Sequence, residues 1–152
     1  MSWSGAMTQF HANLRTAAAA VSPTIDAKLV RKGEPDTLNG DTIAFWMSGW
    51  QPSRTGADTF TKQHIERAVT VRIYIRASSR AAAADDALED RLVAVEEEVV
   101  KQLLLDRDLN GNAIGLFIDG SEYAWEGLGD QLARTATFTA WLDLADTFTT
   151  SL

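Results

Sequence analysis

Hydrophobic residues recur along the chain with two different periods, and each period predicts one kind of element. Across residues 3–21 the apolar residues are spaced by three and four, which predicts an amphipathic helix that ends at Ser22-Pro23. A longer helix is predicted over residues 80–105. Alanines at 81–84 favour its formation, and acidic residues in its first turns interact favourably with the helix dipole.

Alternation of apolar and polar residues predicts the strands. The clearest strand is RAVTVRIYIRA at 67–77, and a second runs through DTIAFWMSGW at 41–50. The alternating run at 131–148 is long for a strand, so we expect it to project beyond the sheet or to bend. A short strand is predicted from Ile25 to Leu29, and residues 51–64 are predicted to be a polar hairpin or long loop.

The region between the long helix and the last strand is predicted to add shorter strands. AIGLFIDGSEYAWEG predicts one strand, a turn near Asp119-Gly120 and a second strand up to Trp125, with Gly127 and Gly129 breaking it. The order of elements predicts an α+β fold in two layers. We expect an antiparallel sheet of about four strands, with the N-terminal helix and the long central helix packed on one face, and a single domain over residues 1–152.

The segment DRDLNGN carries the beginning of a calcium-binding pattern. Asp106, Asp108, Asn110 and Gly111 have the spacing of the first half of an EF-hand loop. The twelfth position, which should supply a bidentate glutamate, is Phe117, and the residues after the loop are strand-like rather than helical. We therefore expect no metal here, and a helix-to-strand connection in which Asn110-Gly111 supplies positive φ.

Composition narrows the remaining chemistry. The chain has 152 residues, no cysteine and a net charge of −7, which excludes thiolate chemistry and disfavours tight binding to nucleic acid. His11 and His64 have no sequence relation to a nucleophile, and no phosphate-binding or dinucleotide-binding pattern occurs. We expect no enzyme and no cofactor. No apolar run is long enough to cross a bilayer, so a soluble protein without a membrane is expected.

Two surfaces have more apolar character than a solvated monomer needs. On the long helix Val93, Val100 and Leu104 form a second apolar stripe, which would pack either on the N-terminal helix or on another copy of the protein. The outer face of the sheet, away from the helices, is expected to be either solvated or a subunit contact. Its candidate contact residues are Trp46, Arg72, Tyr74, Arg76 and Trp141, accompanied by Thr135, Thr137 and Thr139.

The order of these elements resembles one family over nearly the whole chain. RKGEPDTLNGDTIAFWMSGW, RAVTVRIYIRA and LLLDRDLNGNAIGLF, together with the final alternating strand, resemble tail terminator proteins of long-tailed bacteriophages. Within them, GEP at 33–35 and LNG at 109–111 are the two short stretches that support the resemblance most directly.

The resemblance implies a structural virion protein at the junction of tail and neck, present in the host cytoplasm during assembly. Such a protein forms a homohexameric ring that ends polymerisation of the tail tube, and its partners are further copies of itself, the tube protein and the head connector. DNA would pass through the lumen without specific binding. The alternatives are another neck or adaptor ring protein, or a non-viral ligand-binding α+β domain, metal-responsive through Asp106 and Asp108.

Overall fold

A computed structural model describes residues 2–54, 56, 58–59, 61–77 and 86–149. Within these residues the fold is α+β, with two helices and a mixed sheet of six strands. The helices are α1 (Trp3–Ala20) and α2 (Asp86–Leu105), and a short 3-10 helix covers Ala27–Leu29. The strands are β1 (Val30–Lys32), β2 (Thr42–Pro52), β3 (Lys62–Ala77), β4 (Gly115–Ile118), β5 (Glu122–Leu128) and β6 (Gln131–Thr149).

Helix α1 begins and ends close to the predicted residues. The hydroxyl of Ser2 caps its first turn by accepting a hydrogen bond from the backbone N–H of Gly5 at 2.9 Å. Helix α2 is described from Asp86 onward, so the first residues of the predicted helix, 80–85, lie outside the described residues. Asp86 and Glu89 stand in its first described turn, where they interact favourably with the helix dipole.

The sheet differs from the predicted four antiparallel strands. Its order is β1-β2-β3-β6-β4, with β5 also paired to β6, and β1 runs parallel to β2. The predicted strand from Ile25 to Leu29 is wrong. Asp26 accepts a hydrogen bond from the backbone N–H of Lys28 at 2.9 Å, which closes a turn and starts the 3-10 helix, and β1 begins only at Val30.

Strands β4 and β5 lie end to end along the same edge of β6. Gly115–Ile118 pairs with residues 140–143, and Glu122–Leu128 pairs with residues 131–137. The predicted break at Gly127 is wrong because that residue is inside β5. The predicted break at Gly129 is confirmed, since the chain turns there with a φ of 61° in a two-residue connection to β6.

The hairpin of β2 and β3 extends from both ends into residues 51–64, which were predicted to be a polar hairpin or long loop. Gln51 and Pro52 end β2, and β3 begins at Lys62. Strand β3 pairs irregularly with both of its neighbours at residues 65–69. The register shifts after Met47 in β2 and after Leu142 in β6. In β6 this irregularity includes Ala145 at a φ of 58°, so the bend expected for the longest strand occurs here.

The main core lies between the sheet and the two helices. Alternate residues of the strands face α1 and α2, and the buried set is continuous across both layers. From the helices it includes Phe10, Leu14, Leu92, Val95, Val99 and Leu103, and from the sheet Ile43, Phe45, Val69, Val71, Ile73, Phe138, Ala140 and Leu142. The opposite face of the sheet is the outer face expected from the sequence.

Candidate subunit interface

The outer face of the sheet is partly covered by the chain itself. The segment 33–41 crosses it, and Leu38 exchanges two backbone hydrogen bonds with the Gln131 side-chain amide, both 2.6 Å long. Leu38 packs there with Ala44, Tyr74 and Ala133 in a second buried cluster. This part of the sheet was expected to be either solvated or a subunit contact, and it is neither of these in the single chain.

Tyr74 is the predicted contact residue most affected by this cover. Its side chain is 1% exposed, so it is unavailable for contact with another chain while segment 33–41 stays in place. Burial raises the pKa of the Tyr74 hydroxyl, and a hydrogen bond with Arg72 opposes that rise. The sequence showed the correct face for Tyr74, but it did not show that Leu38 would cover it.

Arg72 lies at the centre of the part of the outer face that remains open. Its Nε donates to the Thr137 hydroxyl at 2.9 Å, and its Nη1 lies 3.3 Å from Glu126 and 3.8 Å from Glu34. The guanidinium also lies 5.2 Å from the centre of the Trp46 ring. Two predicted contact residues, Arg72 and Trp46, are therefore brought together, within a network that already neutralises the guanidinium.

Arg76 and Trp141 lie apart from that network. The Arg76 side chain is exposed, and its backbone N–H donates to the Asp41 carboxylate at 3.1 Å. The other oxygen of Asp41 accepts from Arg91 of α2, also at 3.1 Å. Trp141 lies at the other end of the outer face, where its indole N–H donates to Asp119 at 2.6 Å. The five predicted residues therefore share a face without forming one continuous patch.

The second apolar stripe of α2 is not covered by α1. Val93 is 41% exposed and Leu104 is 37% exposed, whereas Val100 is partly buried against the core. Val100 and Leu104 line a cavity together with Phe117 and Ile118 of β4. The stripe therefore faces the edge of the sheet formed by β4 and β5, and the expected alternative of packing on the N-terminal helix is wrong.

That cavity is an open groove of about 330 Å³ between α2 and the β4–β5 edge. Glu96 lies in its wall, and one carboxylate oxygen, Oε1, accepts a hydrogen bond from the Tyr123 hydroxyl at 2.6 Å. The other oxygen, Oε2, is buried and has no hydrogen-bond partner within the described part of the chain. The hydrogen bond to Glu96 is the main cause that raises the pKa of Tyr123.

Aromatic residues that were not among the predicted contacts lie along the same edge. Phe117, Tyr123 and Trp125 are each between 43% and 48% exposed. The guanidinium of Arg134 lies 5.2 Å from the centre of the Trp125 ring and donates to Glu89 of α2 at 2.7 Å. The sequence EYAWE could have indicated these aromatic contacts. In it Tyr123 and Trp125 alternate with Glu122, Ala124 and Glu126, on a strand that pairs on one side with β6.

The calcium-like segment has a structural role in the folded chain. One carboxylate oxygen of Asp106 accepts hydrogen bonds from Gln9 at 3.0 Å and from Asn13 at 2.9 Å, both on α1. The other oxygen accepts from the backbone N–H of Asn110 at 2.9 Å. Burial alone would raise the pKa of Asp106, but these hydrogen bonds outweigh it and lower the pKa below 3.8. Leu109, Asn110 and Gly111 all have positive φ, so the predicted positive φ at Asn110-Gly111 is confirmed and the left-handed turn begins one residue earlier.

The remaining titratable candidates show no catalytic arrangement within the described residues. His11 lies on α1 with its Nε2 at 2.8 Å from the carbonyl oxygen of Val30, and burial is the main cause that lowers its pKa. Among residues 2–54, 56, 58–59, 61–77 and 86–149, no three histidine, aspartate or glutamate side chains converge as a metal site would require.

Comparisons with known proteins leave the family of the chain open. No protein-family profile matches the sequence, and no curated protein matches it. Neither of the described helices is long and apolar enough to cross a membrane.

Proposed function

We propose that this chain is a structural virion protein that forms a ring at the head-proximal end of a bacteriophage tail. The ring ends polymerisation of the tail tube and joins the tail to the head connector. The chain acts through its surfaces, and its partners are further copies of itself, the tube protein and the connector. The resemblance of the element order to tail terminator proteins is what suggests this assignment.

The structural observation that supports it best is the exposed apolar edge of the fold. Val93, Leu104, Tyr123 and Trp125 lie on α2 and β5, and all of them are more than a third exposed. Exposed apolar side chains grouped at one edge suit a contact with another chain, and aromatic side chains are enriched where subunits meet. A protein that works by self-association has a direct use for this edge.

The charge of the chain supports the same function. A net charge of −7 disfavours retention of DNA, because phosphate binding depends on lysine and arginine that replace counterions. DNA that passes through the lumen of such a ring would therefore meet a surface to which it does not adhere.

The metal-responsive alternative receives less support. Both carboxylate oxygens of Asp106 already accept hydrogen bonds from protein groups, and a bound calcium ion would compete with them.

The experiment that tests the proposal is inactivation of this gene in the phage that encodes it, followed by electron microscopy of the lysate. We expect filled heads that carry no tail and free tails with tubes of uncontrolled length, because nothing would end polymerisation. A plasmid copy of the gene should restore joined particles with tails of uniform length. Normal particles produced without the protein would refute the proposal.

A further inference from the structure

The two chain segments that contain the edge strands of the sheet carry opposite net charges. Strand β1 lies at one edge, and β4 with β5 at the other. Between residues 1 and 32 the chain has four basic residues and one acidic residue, whereas between residues 86 and 126 it has eleven acidic and three basic residues. A separation of charge along the long direction of a sheet favours contact between unlike edges of two copies.

The basic edge consists of residues on or beside β1. All four side chains are exposed, and no ion pair joins any of them to a carboxylate in the described part of the chain. Arg15 on α1 and Lys32 on β1 both lie close enough to His11 to lower its pKa, so they converge on one area. The basic edge is Arg15, Lys28, Arg31 and Lys32.

The acidic edge contains a site that a basic side chain would complete. In the groove between α2 and β4–β5, the buried Oε2 of Glu96 has no hydrogen-bond donor among the residues that the structure describes. A buried acceptor without a partner is unfavourable, and a charged donor provides the strongest compensation. Val100, Leu104, Phe117 and Ile118 supply apolar walls, which suit the aliphatic part of a lysine or arginine side chain. The groove is also lined by one basic residue of the chain itself, Arg107, and by a second carboxylate, Asp119.

We propose that copies of this chain associate head to tail, with a basic side chain from the β1 edge of one copy entering the groove beside Glu96 of the next. The inference rests on the proposed function in that both require self-association, and it identifies the two surfaces that meet. Because each copy gives one edge and receives the other, the contact is heterologous. Repetition of such a contact produces a closed ring when the rotation between copies allows closure.

The absence of cysteine from the sequence makes a clean cross-linking test possible. Ala27→Cys places a thiol beside Lys28 on the basic edge, and Ser121→Cys places one at the groove. Each variant is treated with a bis-maleimide reagent, alone and as an equal mixture. We expect cross-linked pairs only in the mixture, and a ladder of higher species when one chain carries both substitutions. Pairs formed by either single variant alone, or no pairs in the mixture, would overturn the head-to-tail contact.

The role of Glu96 is tested by removing its charge while keeping its shape. Glu96→Gln should lower the association constant between copies of the chain by roughly tenfold to a hundredfold, the range for a hydrogen bond to a charged group. Glu98→Gln is the matched control, since it changes the same charge on the same helix. Glu98 is bonded instead to Gln102 at 2.8 Å and does not line the groove. Equal losses from both variants would show that only the overall charge matters and would overturn the groove as the site.

The outcomes for this contact and for the proposed function can be separated. Rings at the tail end of particles together with a failed cross-link would leave the function in place and refute the contact between these two edges. If the cross-link forms efficiently but the gene proves dispensable for tail length and joining, the contact between the two edges stands and the proposed function is refuted.

Discussion

Replacement of Asp106 separates a structural role of the DRDLNGN segment from a metal-binding one. Asp106→Ala removes the acceptor for the side chains of Gln9 and Asn13, and the amide of Asn13 is left in a buried position. A buried polar group without its partner costs about 1–3 kcal/mol, and loss of the turn contact to Asn110 adds to this. We expect the free energy of unfolding to fall by about 2–3 kcal/mol in total.

Thermal unfolding followed by circular dichroism measures this loss. For a domain of this size, a loss of about 2–3 kcal/mol lowers Tm by about 4–12 °C. The control is Asp108→Ala, which removes the neighbouring EF-hand-like carboxylate from an exposed position and should cost less than about 0.5 kcal/mol. Calcium should leave all three Tm values unchanged. A rise in the Tm of the unmodified protein with calcium, abolished equally by both substitutions, would refute the structural role.

The pH dependence of stability gives a second measurement on Asp106. Its pKa in the folded chain lies below the ordinary value of 3.8, so on acidification the unfolded chain takes up the proton first. The stabilisation is therefore complete above that ordinary value and is lost as the pH falls through the folded-state pKa. We expect the difference in stability between the unmodified protein and Asp106→Asn to shrink below about pH 4. A difference that grows on acidification would contradict this.

Further substitutions distinguish surface from core. Val93→Asp should leave the fold intact but weaken self-association in sedimentation experiments, because Val93 is exposed. Val100→Asp should weaken self-association and also lower the free energy of unfolding by about 1–3 kcal/mol, because Val100 packs against the core. Equal stability of the two variants would contradict this. Leu38→Ala should cost about 2–5 kcal/mol in urea unfolding, and a loss below 1 kcal/mol would show that the segment over Tyr74 is loosely held. Salt should weaken self-association, since the edges carry opposite charges.

The sequence predicted those elements whose burial follows a simple period. Helix α1 shows apolar residues at helical spacing because one side of it is buried, and β3 alternates because Val69, Val71 and Ile73 face the helices. Strand β5 is exposed along nearly all of its length as an edge strand, so its alternation carried little information about burial. The parallel β1 has three residues, and its place beside β2 depends on tertiary packing rather than on any local pattern.

The candidate interface could be predicted only in part, for a related reason. The second stripe of α2 was visible because Val93, Val100 and Leu104 follow the helical period, and the outer sheet face was visible through alternation. The cover that Leu38 places on Tyr74 depends on the path of a loop over the sheet. The contact between Glu96 and Tyr123 joins residues 27 positions apart, and no local pattern specifies such a pairing.

We propose that this chain forms a ring at the head-proximal end of a phage tail. The most direct measurement is cryo-electron microscopy of purified particles, with the protein located by an antibody or by a fused tag. The claim predicts a closed ring of six copies between the tube and the connector, with the β1 edge of each copy against the β4–β5 edge of the next. Complete particles in which the protein is absent would contradict the claim.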